Sequence, residues 1–323
     1  MIKEDLLAIL EAHREQYVSG AKIAKELSVS RAAVWKAIGQ LKEEGFIIDS
    51  ATNKGYRLSE NSDVLRESGI RKYLRKKDVQ VRTEQVVTST NTILKEEAKN
   101  GQVDSAVLVA AEQTAGRGRI GRSFYSPQGT GIYLSILLRP KLSAEQALKI
   151  TICAAVATAE AIEQVSGEKT EIKWVNDIRV RGKKICGILT EASMDCETGG
   201  MEYAIVGIGI NLMEPKGGFP EEICDIAGAL FSSELPKDIR CRIAAEIIDR
   251  FFRYYDALPE DLAYQSYTER SCVLGKKVTI MPFTGEPVKA EVLEIDRDYA
   301  LIVRDEEGGI RRINSGEVSL RDI

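Results

Sequence analysis

Residues 19–44 have the sequence SGAKIAKELSVSRAAVWKAIGQLKEE, and this stretch decides how the N-terminal part of the chain folds. Its apolar residues recur at three- and four-residue steps, which is the period of a helix face that packs on a core. Ser19 and Ser30 are good N-caps, so the stretch predicts helices over residues 20–27 and 31–44. The short connection between them leaves room only for a tight turn between crossed helices.

A helix before this stretch and a hairpin after it complete the N-terminal pattern. Leucines in residues 3–12 predict the helix. Short apolar runs at residues 46–48 and 55–58, separated by a polar turn, predict the hairpin. Three helices followed by a hairpin predict a winged helix-turn-helix domain over residues 1–62.

The paired helices are locally basic although the whole chain has a net charge of −4. Between residues 22 and 42 there are five lysines and arginines and a single acid, Glu26. A tight turn, a basic second helix and a hairpin together indicate DNA binding. The alternative is a small helical bundle whose basic face is merely solvated. On the DNA-binding interpretation, we expect the contacts to come from Ser19, Lys22, Ser30, Arg31, Ala32, Trp35 and Lys36.

The composition is that of an ordinary globular protein. The 323 residues are enough for two to three domains, and 44% hydrophobic with 29% charged residues excludes a disordered or fibrous chain. No apolar run reaches the ~20 residues that cross a bilayer. The first twenty residues include four acids and no apolar core of a signal peptide. We therefore expect a cytoplasmic protein that makes no membrane contact.

Cysteine and histidine usage restricts the possible chemistry. The six cysteines never come closer than ten residues apart, so neither a zinc knuckle nor a redox pair is indicated and free thiols are expected. His13 is the single histidine, which excludes a Ser-His-Asp triad, a Cys-His pair and an H-E-x-x-H zinc site. Any chemistry must use lysine, arginine, carboxylates and amides, with or without a magnesium ion.

After residue 62 the pattern mixes strands with helices. The strand-like runs are residues 107–111, 132–138 and 203–210, and the helices are residues 143–167 and 236–257. Ser143 with Gln146 forms a capping box for the first helix, which ends near Gly167. Short β runs separated by turns follow from residue 271 and predict a small β-barrel. The fold class is therefore α+β, with domains at residues 1–62, 63–270 and 271–323.

The densest functional signal is the sequence GRGRIGR at residues 116–122, directly after a predicted strand. Its glycines let the backbone approach a ligand closely, and its arginines supply fixed positive charge and paired donors. It lacks the G-K-[ST] ending of a Walker A loop, and it does not open a helix as a dinucleotide fingerprint does. The alternative is a flexible, solvated loop.

Two further segments have polar residues at strand ends. KWVND at residues 173–177, followed by a second strand-like run at residues 183–191, predicts a hairpin that brings Asn176, Asp177 and Lys184 together. The alternative here is a simple turn dipeptide beside a core tryptophan. GIGIN at residues 207–211 is a strand with two glycines, which invites close approach of another group.

Taken in order, these motifs resemble one family. The matching pieces are STN at residues 89–91, QTAGRGR at 113–119, KWVND at 173–177, KICGI at 184–188, GIGIN at 207–211 and GEVSLR at 316–321. With the N-terminal winged helix, they make the chain similar to the bacterial biotin–protein ligases that are also biotin-operon repressors. The chain departs from the family pattern at Val175, where proline is usual, and in the loop at residues 213–220.

The resemblance implies a reaction, a fold and a set of site residues. Such enzymes join biotin to ATP, with Mg2+, and pass the biotinyl group to a lysine of the biotin carboxyl carrier protein. The central domain would be related to class II synthetase cores, and the C-terminal domain would be an SH3-like barrel. The implied biotin site is Ser89, Thr90, Asn91, Gln113, Arg117, Gly118, Arg119 and Lys184. The implied ATP site is Arg119, Arg122, Asn176, Asp177, Lys184 and Asn211. The implied metal contacts, made weakly through the ATP phosphates, are Asp177 and Asn211. The implied catalytic residues are Lys184, Arg119, Arg122 and Asp177.

Two alternatives remain open beside this expectation. The first is a repressor whose central domain senses biotin or a nucleotide without catalysis. The second is a lipoate or octanoyl ligase, because those enzymes share the core fold. Gln113 and the arginine loop favour biotin, and Lys184 with Asp177 favours an enzyme. The resemblance also implies operator DNA as a partner and a homodimer in the adenylate-bound state.

Overall fold

The computed structural model describes residues 2–14, 16–43, 45–59, 62–101, 103–143, 146–195, 200–233, 235–282 and 286–320. The chain divides into two compact units, Met1–Leu65 with Ser233–Cys241, and Arg66–Ser232 with Arg242–Ile323. The sequence prediction had assigned residues 233–241 to the central domain, and the division into domains at residues 62 and 270 stays a prediction. None of the described helices is long and apolar enough to cross a membrane.

The first unit contains the predicted three helices and hairpin. These are α1 (Ile2–Ala12), α2 (Gly20–Glu26), α3 (Arg31–Glu43), β1 (Ile48–Ala51) and β2 (Gly55–Leu58). Both serine caps are confirmed, because Ser19 Oγ accepts from Lys22 N at 3.1 Å and Ser30 Oγ accepts from Ala33 N at 3.1 Å. Such a cap is worth about 1 kcal/mol. The helices end one residue earlier than predicted, and Glu44 lies outside the described residues.

The hairpin begins later than the sequence predicts. β1 starts at Ile48, whereas the predicted strand covered residues 46–48. Phe46 is instead buried in a core with residues such as Leu10, Ile38 and Leu58. The ring of Phe46 therefore packs in the helical core, and the backbone pairs with β2 only from residue 48 onward. Asn61, near the end of the predicted N-terminal domain, lies outside the described residues.

Two buried ion pairs fix residues 233–241 within this unit. Arg14 pairs with Asp238 at 2.8 Å, and Arg240 pairs with Asp63 at 2.6 Å. Burial raises the pKa of Asp63, while the adjacent Arg240 charge opposes that shift. Breaking one partner of such a pair would leave a buried charge, which is strongly destabilising.

The second unit is built on a mixed sheet. Its elements up to the last central strand are α4 (Glu67–Tyr73), β3 (Val81–Val87), α5 (Thr90–Lys99), β4 (Ala106–Gln113), β5 (Gly131–Leu138), α6 (Ala147–Ser166), β6 (Glu171–Lys173), β7 (Asp177–Val180), β8 (Lys183–Met194) and β9 (Met201–Asn211). Within the described residues the strand order is β3-β4-β5-β9-β8-β7-β6, and only β3 and β4 pair in parallel. Every residue of β5 is buried, which is typical of a strand covered on both faces.

The two helices predicted at residues 143–167 and 236–257 begin later than the sequence predicts. Ser143 N donates to Gln146 Oε1 at 3.1 Å, which is half of the predicted capping box, but α6 begins only at Ala147. The predicted end is confirmed, since Gly167 has a positive φ of 75° and closes the helix. The helix predicted at residues 236–257 is α7 (Ile239–Asp256), and α8 (Ala263–Glu269) follows it.

The C-terminal part is β-rich, as predicted. Its strands are β10 (Lys277–Met281), β11 (Val288–Ile295), β12 (Leu301–Asp305), β13 (Ile310–Ile313) and β14 (Glu317–Ser319). They pair in the order β13-β12-β11-β10-β14, all antiparallel. This order returns the last strand to the side of β10, and Glu317 and Val318 of that strand line the central sheet's cavity.

Candidate functional site

A cavity of about 450 Å3 opens above the middle of the central sheet. This is an ordinary size for a small-molecule site. Every residue that the resemblance assigns to biotin, ATP or metal lines it: Ser89, Thr90, Asn91, Gln113, Arg117, Gly118, Arg119, Arg122, Asn176, Asp177, Lys184 and Asn211. The structure therefore brings separate motifs to one place, and the role of each residue stays a prediction.

One end of the cavity is a neutral hydrogen-bond network. Gln113 Oε1 accepts from Thr90 N at 2.9 Å and from Thr90 Oγ1 at 3.1 Å. Gln113 Nε2 donates to Ser126 Oγ at 3.1 Å. The fully buried Ser135 Oγ lies 2.6 Å from both Thr90 Oγ1 and Asn91 Oδ1. Uncharged polar groups can be buried at low cost when they are paired in this way.

Strand β9 lets two side chains lie directly on its backbone. A Cβ added at Gly207 would overlap Asn91 Oδ1, and one added at Gly209 would lie 2.5 Å from the ring of Phe124. Phe124 in turn meets Tyr133 edge to face, with ring centroids 6.4 Å apart. The sequence prediction that these two glycines permit close approach is confirmed.

The other end of the cavity is charged. Lys184 Nζ lies 2.7 Å from Asp177 Oδ1, so the predicted hairpin does bring these two residues together. Arg119 donates to Asn176 Oδ1 at 2.8 Å and to the carbonyl oxygen of Gly316 at 3.1 Å. Burial lowers the pKa of the neighbouring Lys173, although the Asp177 charge acts in the opposite direction.

The outermost arginine is held by the C-terminal part of the chain. Arg122 makes two hydrogen bonds to the carboxylate of Glu317, at 3.0 and 2.8 Å, and its side chain is 66% exposed. Glu317 belongs to the GEVSLR motif, whose contact with the arginine loop sequence reasoning did not foresee. A forked arginine–carboxylate pair fixes the direction of the guanidinium as well as its position.

The turn at residues 174–176 is supported from behind. Trp174 Nε1 donates to the carbonyl oxygen of Tyr299 at 2.8 Å, and Tyr267 Oη donates to that of Val175 at 3.2 Å. The peptide bond between Trp174 and Val175 is cis. Trp174 is 3% exposed, yet it lines the cavity, so the core and the functional interpretations both apply.

Sequence reasoning missed part of the wall. Residues 219–227 close one side of the cavity with Phe219, Ile223 and Ile226, while Glu222 lies among them. This segment begins within the loop at residues 213–220, which departs from the family pattern. It lacks regular secondary structure, so neither period nor strand pattern marks it.

Asn211 ends β9 and donates to the carbonyl oxygen of Gly228 at 3.1 Å. Among the described residues no group of three or more His, Cys, Asp or Glu could hold a metal ion. Asp177 and the amide oxygen of Asn211 are hard oxygen donors at the charged end, whereas Asn176 Oδ1 already accepts from Arg119. This donor set fits a Mg2+ ion that is bound mainly by nucleotide phosphates and one carboxylate.

Cysteines take no visible part in the site chemistry. The described cysteines are free, and Cys196 lies outside the described residues. Cys186 is fully buried beneath the cavity, and burial raises the pKa of its thiol. The expectation of free thiols is therefore confirmed for the described cysteines.

In the first unit, α3 has an exposed face opposite its buried one. Arg31, Ala32 and Lys36 are exposed, and Trp35 is 72% exposed, whereas Val34 and Ile38 are buried. Lys22 is exposed on α2. Ser19 and Ser30 use their hydroxyls as helix caps. The predicted DNA contacts therefore fall on an accessible surface of the helix pair.

Three segments of the chain match models of known protein families. Residues 83–211 match the model of the biotin/lipoate A/B protein ligase family, residues 3–57 match an HTH domain, and residues 273–321 match a biotin protein ligase C-terminal domain. The ligase match contains the glycine–arginine loop and both strands of the lysine–aspartate pair.

Relatives extend this likeness to nearly the whole chain. The bifunctional ligase/repressor BirA of Bacillus spizizenii is 35% identical, over 99% of this chain and 98% of its own length. The biotin–[acetyl-CoA-carboxylase] ligase of Mycobacterium tuberculosis is 29% identical over 71% of this chain and 85% of its own. A solved biotin protein ligase from Aquifex aeolicus, in complex with biotin and ATP, superposes with a TM-score of 0.62 at 27% identity, covering 74% of this chain and 97% of its own. The chain belongs to the family of the bacterial bifunctional ligase/repressors, the biotin–protein ligases with an N-terminal helix-turn-helix domain.

Proposed function

We propose that this chain is an ATP-dependent biotin–protein ligase that also acts as a biotin-responsive transcriptional repressor. The observation that carries the proposal is the cavity itself, because motifs far apart in sequence meet there with a neutral end and a cationic end. Biotin has the same division, with an uncharged ureido ring at one end and a carboxylate at the other. Membership of the ligase/repressor family supports both activities.

The neutral end suits the ureido ring. That ring needs paired donors and acceptors but no charge, and Thr90, Asn91 and Gln113 supply amides and hydroxyls. These groups are already held by Ser135 and Ser126, so they lose little freedom when biotin binds. We expect Ser89, Arg117 and Gly118 to complete this part of the site.

The cationic end suits the reaction. A biotin carboxylate oxygen forms a bond to the α-phosphorus of ATP, the bond to the β-phosphate oxygen breaks, and pyrophosphate leaves. Two anions must be held in contact, and fixed cations lower that barrier. We expect Lys184 to bridge the carboxylate and the α-phosphate, with Arg119 and Arg122 on the phosphates. The biotinyl-5′-AMP then gives its acyl group to the amine of a carrier lysine and releases AMP.

Magnesium and the nucleotide would occupy the same end. We expect Asp177, Asn176 and Asn211 to face the phosphates, where Mg2+ would neutralise the developing charge on the leaving pyrophosphate. Phe219, Ile223 and Ile226 give the neighbouring wall an apolar surface suited to a base. The carrier would be the biotin carboxyl carrier protein of a biotin-dependent carboxylase.

Two finer structural assignments belong to this proposal. The order of the C-terminal strands, with β14 beside β10, supports an SH3-like barrel. The central antiparallel strands flanked by α5 and α6 support a relationship to class II synthetase cores. We also propose the three domains at residues 1–62, 63–270 and 271–323.

One assay tests the ligase activity. The purified protein is incubated with biotin, ATP and Mg2+, and pyrophosphate release and the adenylate are measured; lipoate and octanoate replace biotin in parallel reactions. We expect turnover with biotin and transfer to a carrier domain when it is added. Binding of biotin without pyrophosphate release would favour the pure sensor, and preference for lipoate or octanoate would favour the other ligase class.

A second experiment tests repression. A single winged helix buries too little surface for operator-level affinity, so we expect a homodimer on two half-sites, formed when the adenylate is bound. Sedimentation and gel shifts are run with and without biotin plus ATP. Arg31→Ala and Lys36→Ala should weaken DNA binding without changing adenylate synthesis, while Lys99→Ala, an exposed lysine on α5, serves as control. A protein that stays monomeric and ignores DNA in both conditions would contradict the repressor role.

A further inference from the structure

Glu191 is a carboxylate at the neutral end that no part of the reaction requires. It lies on β8 opposite Ile205 of β9, and its side chain is 16% exposed. One oxygen accepts from Asn91 Nδ2 at 2.9 Å. The other lies 3.0 Å from Arg117 Nη1 and 3.5 Å from Lys95 Nζ. The Glu191 side chain thus contacts both Asn91 and Arg117, two residues expected at biotin, although it lies on a different element from either.

The contact with Asn91 determines which way its amide points. Asn91 Oδ1 lies 2.6 Å from Ser135 Oγ and packs against the bare backbone of Gly207. Its Nδ2 then donates to the Glu191 carboxylate at 2.9 Å, which can only accept, and more weakly to the carbonyl oxygen of Leu189 at 3.4 Å. With both ends engaged, the amide cannot flip, and it presents one fixed pattern to a ligand.

The contact with Arg117 fixes the start of the glycine–arginine loop. Among the described residues, Glu191 is the acidic partner of the Arg117 guanidinium, which is 46% exposed. The loop itself is tied together by the hydrogen bond from Gly118 N to the carbonyl oxygen of Arg122, at 2.7 Å. Holding Arg117 at Glu191 therefore places the loop across the mouth of the neutral end.

We propose that Glu191 is a positioning residue for biotin, which orients the Asn91 amide and anchors Arg117 so that the loop lies over the ring system. The proposal rests on the proposed function and adds a residue to it. A carboxylate near an anionic substrate is acceptable here because the Arg117 guanidinium, 3.0 Å away, neutralises it. It lies at the end away from the Lys184 and Asp177 pair, so its removal should affect biotin binding and leave the ATP site intact.

The key variant is Glu191→Gln, which keeps an amide oxygen for Asn91 and removes the charge that holds Arg117. The matched control is Glu97→Gln, since Glu97 is 17% exposed and makes a comparable ion pair with Arg82 at 2.7 Å on α5. Lys95→Met removes the third partner without touching Asn91 or Arg117. Thermal unfolding of each variant shows whether the fold is kept.

Biotin binding is measured by calorimetry without ATP, and adenylate formation is measured over a matrix of biotin and ATP concentrations. We expect Glu191→Gln to raise the biotin Kd and KM roughly tenfold, the usual effect of losing a hydrogen bond to a charged group. The KM for ATP and the kcat at saturating biotin should stay at the wild-type values. Glu191→Ala, which also loses the hydrogen bond from Asn91, should have the larger effect. Glu97→Gln and Lys95→Met should change each constant less than twofold.

Trypsin cleavage after Arg117 gives a readout of the loop itself. In the wild type, biotin should protect this bond, and in Glu191→Gln the same protection should require roughly ten times more biotin. Unchanged or tighter biotin binding in Glu191→Gln would overturn the proposal, as would an equal rise in both KM values. If Glu191→Ala does not fold, the Gln variant alone decides. Wild-type protein that neither binds biotin nor forms adenylate would instead overturn the proposed function.

Discussion

The two ends of the cavity are held in different ways. At the neutral end, Ser135 is fully buried and Asn91 is 4% exposed, and their partners lie on the central sheet and at the start of α5. At the charged end, Arg122 is 66% exposed and is held by Glu317, which is 195 residues away in sequence. Arg119 similarly depends on the backbone of Gly316.

The difference follows from what each group costs to bury. Paired amides and hydroxyls can be enclosed, so the neutral end is rigid before any ligand arrives. Cations keep part of their hydration, and ion pairs at a surface are weak, so the arginines of the charged end stay partly exposed and depend on the C-terminal strand for their position. Substitutions at the neutral end should therefore act on biotin affinity, and those at the charged end on ATP and on the reaction rate.

The largest effect is expected from Lys184→Ala. Lys184 would meet both reacting anions, and loss of one positioned charge-stabilising group costs on the order of 10²–10³ in rate. Single-turnover pyrophosphate release at saturating substrates measures it. The matched control is Lys183→Ala, whose exposed side chain donates to the carbonyl oxygen of Asp225. Adenylate formation by Lys184→Ala at the wild-type rate would remove this residue from the reaction.

Gly207→Ala tests the rigidity of the neutral end. The added Cβ would overlap Asn91 Oδ1, so the amide must leave its place between Ser135 and Glu191. We expect biotin affinity to fall by about tenfold or more, as for loss of one or more buried hydrogen bonds, with the KM for ATP nearly unchanged. Calorimetry measures the affinity. Gly39→Ala on α3, where a Cβ meets nothing within 4 Å, is the control. Wild-type biotin affinity in Gly207→Ala would show that the network adapts.

Glu317→Gln tests the charged end. It removes the charge that holds Arg122, and the expected result is a severalfold rise in the KM for ATP with no change in biotin Kd. Glu291→Gln, which breaks an exposed pair with Arg304 in the same C-terminal sheet, is the matched control. A change in biotin affinity without one in the KM for ATP would reverse the comparison between the two ends.

The smallest effect is expected in the pH dependence of the free energy of unfolding, at carboxylates away from both ends of the cavity. Burial alone would raise the pKa of Glu160, but hydrogen bonds from Tyr254 and Ser266 and the charge of Arg250 outweigh it, so the pKa is lowered. The pKa of Glu163 is also lowered, because hydrogen bonds from Arg270 and Thr170 outweigh the effect of its burial. Carboxyls with a lowered pKa stabilise the fold above their unfolded pKa, and this contribution is lost as pH falls through the folded one.

Urea unfolding of the full chain, followed between pH 6 and pH 3, measures this contribution. We expect the free energy of unfolding to decline with acidification, and to decline less steeply in Glu160→Gln than in the wild type. The control is Glu67→Gln, an exposed carboxylate whose pair with Arg71 lies on the surface of α4. Equal slopes in Glu160→Gln and the wild type would show that Glu160 does not contribute.

Local features were determined by the sequence alone. The helices of the first unit follow from apolar spacing and two serine caps, both properties of neighbouring residues. The same holds for the end of α6 at Gly167 and for the glycines of β9, which are needed because another group lies on the strand. Motif order was enough to name the family and to collect part of the residues that line the cavity.

Only the tertiary structure decided which distant residues complete the site. Glu191 and Phe124 lie outside the recognised motifs, and the motif that contains Glu317 does not show its pairing with Arg122, since a carboxylate or a ring in a strand or loop has many possible partners. The placement of residues 233–241 in the first unit depends on Arg14 and Asp63, which lie far away in sequence. The physical reason is the range of the interaction: periodicity and capping act within a few residues, whereas ion pairs and packing join segments that only the folded backbone brings together.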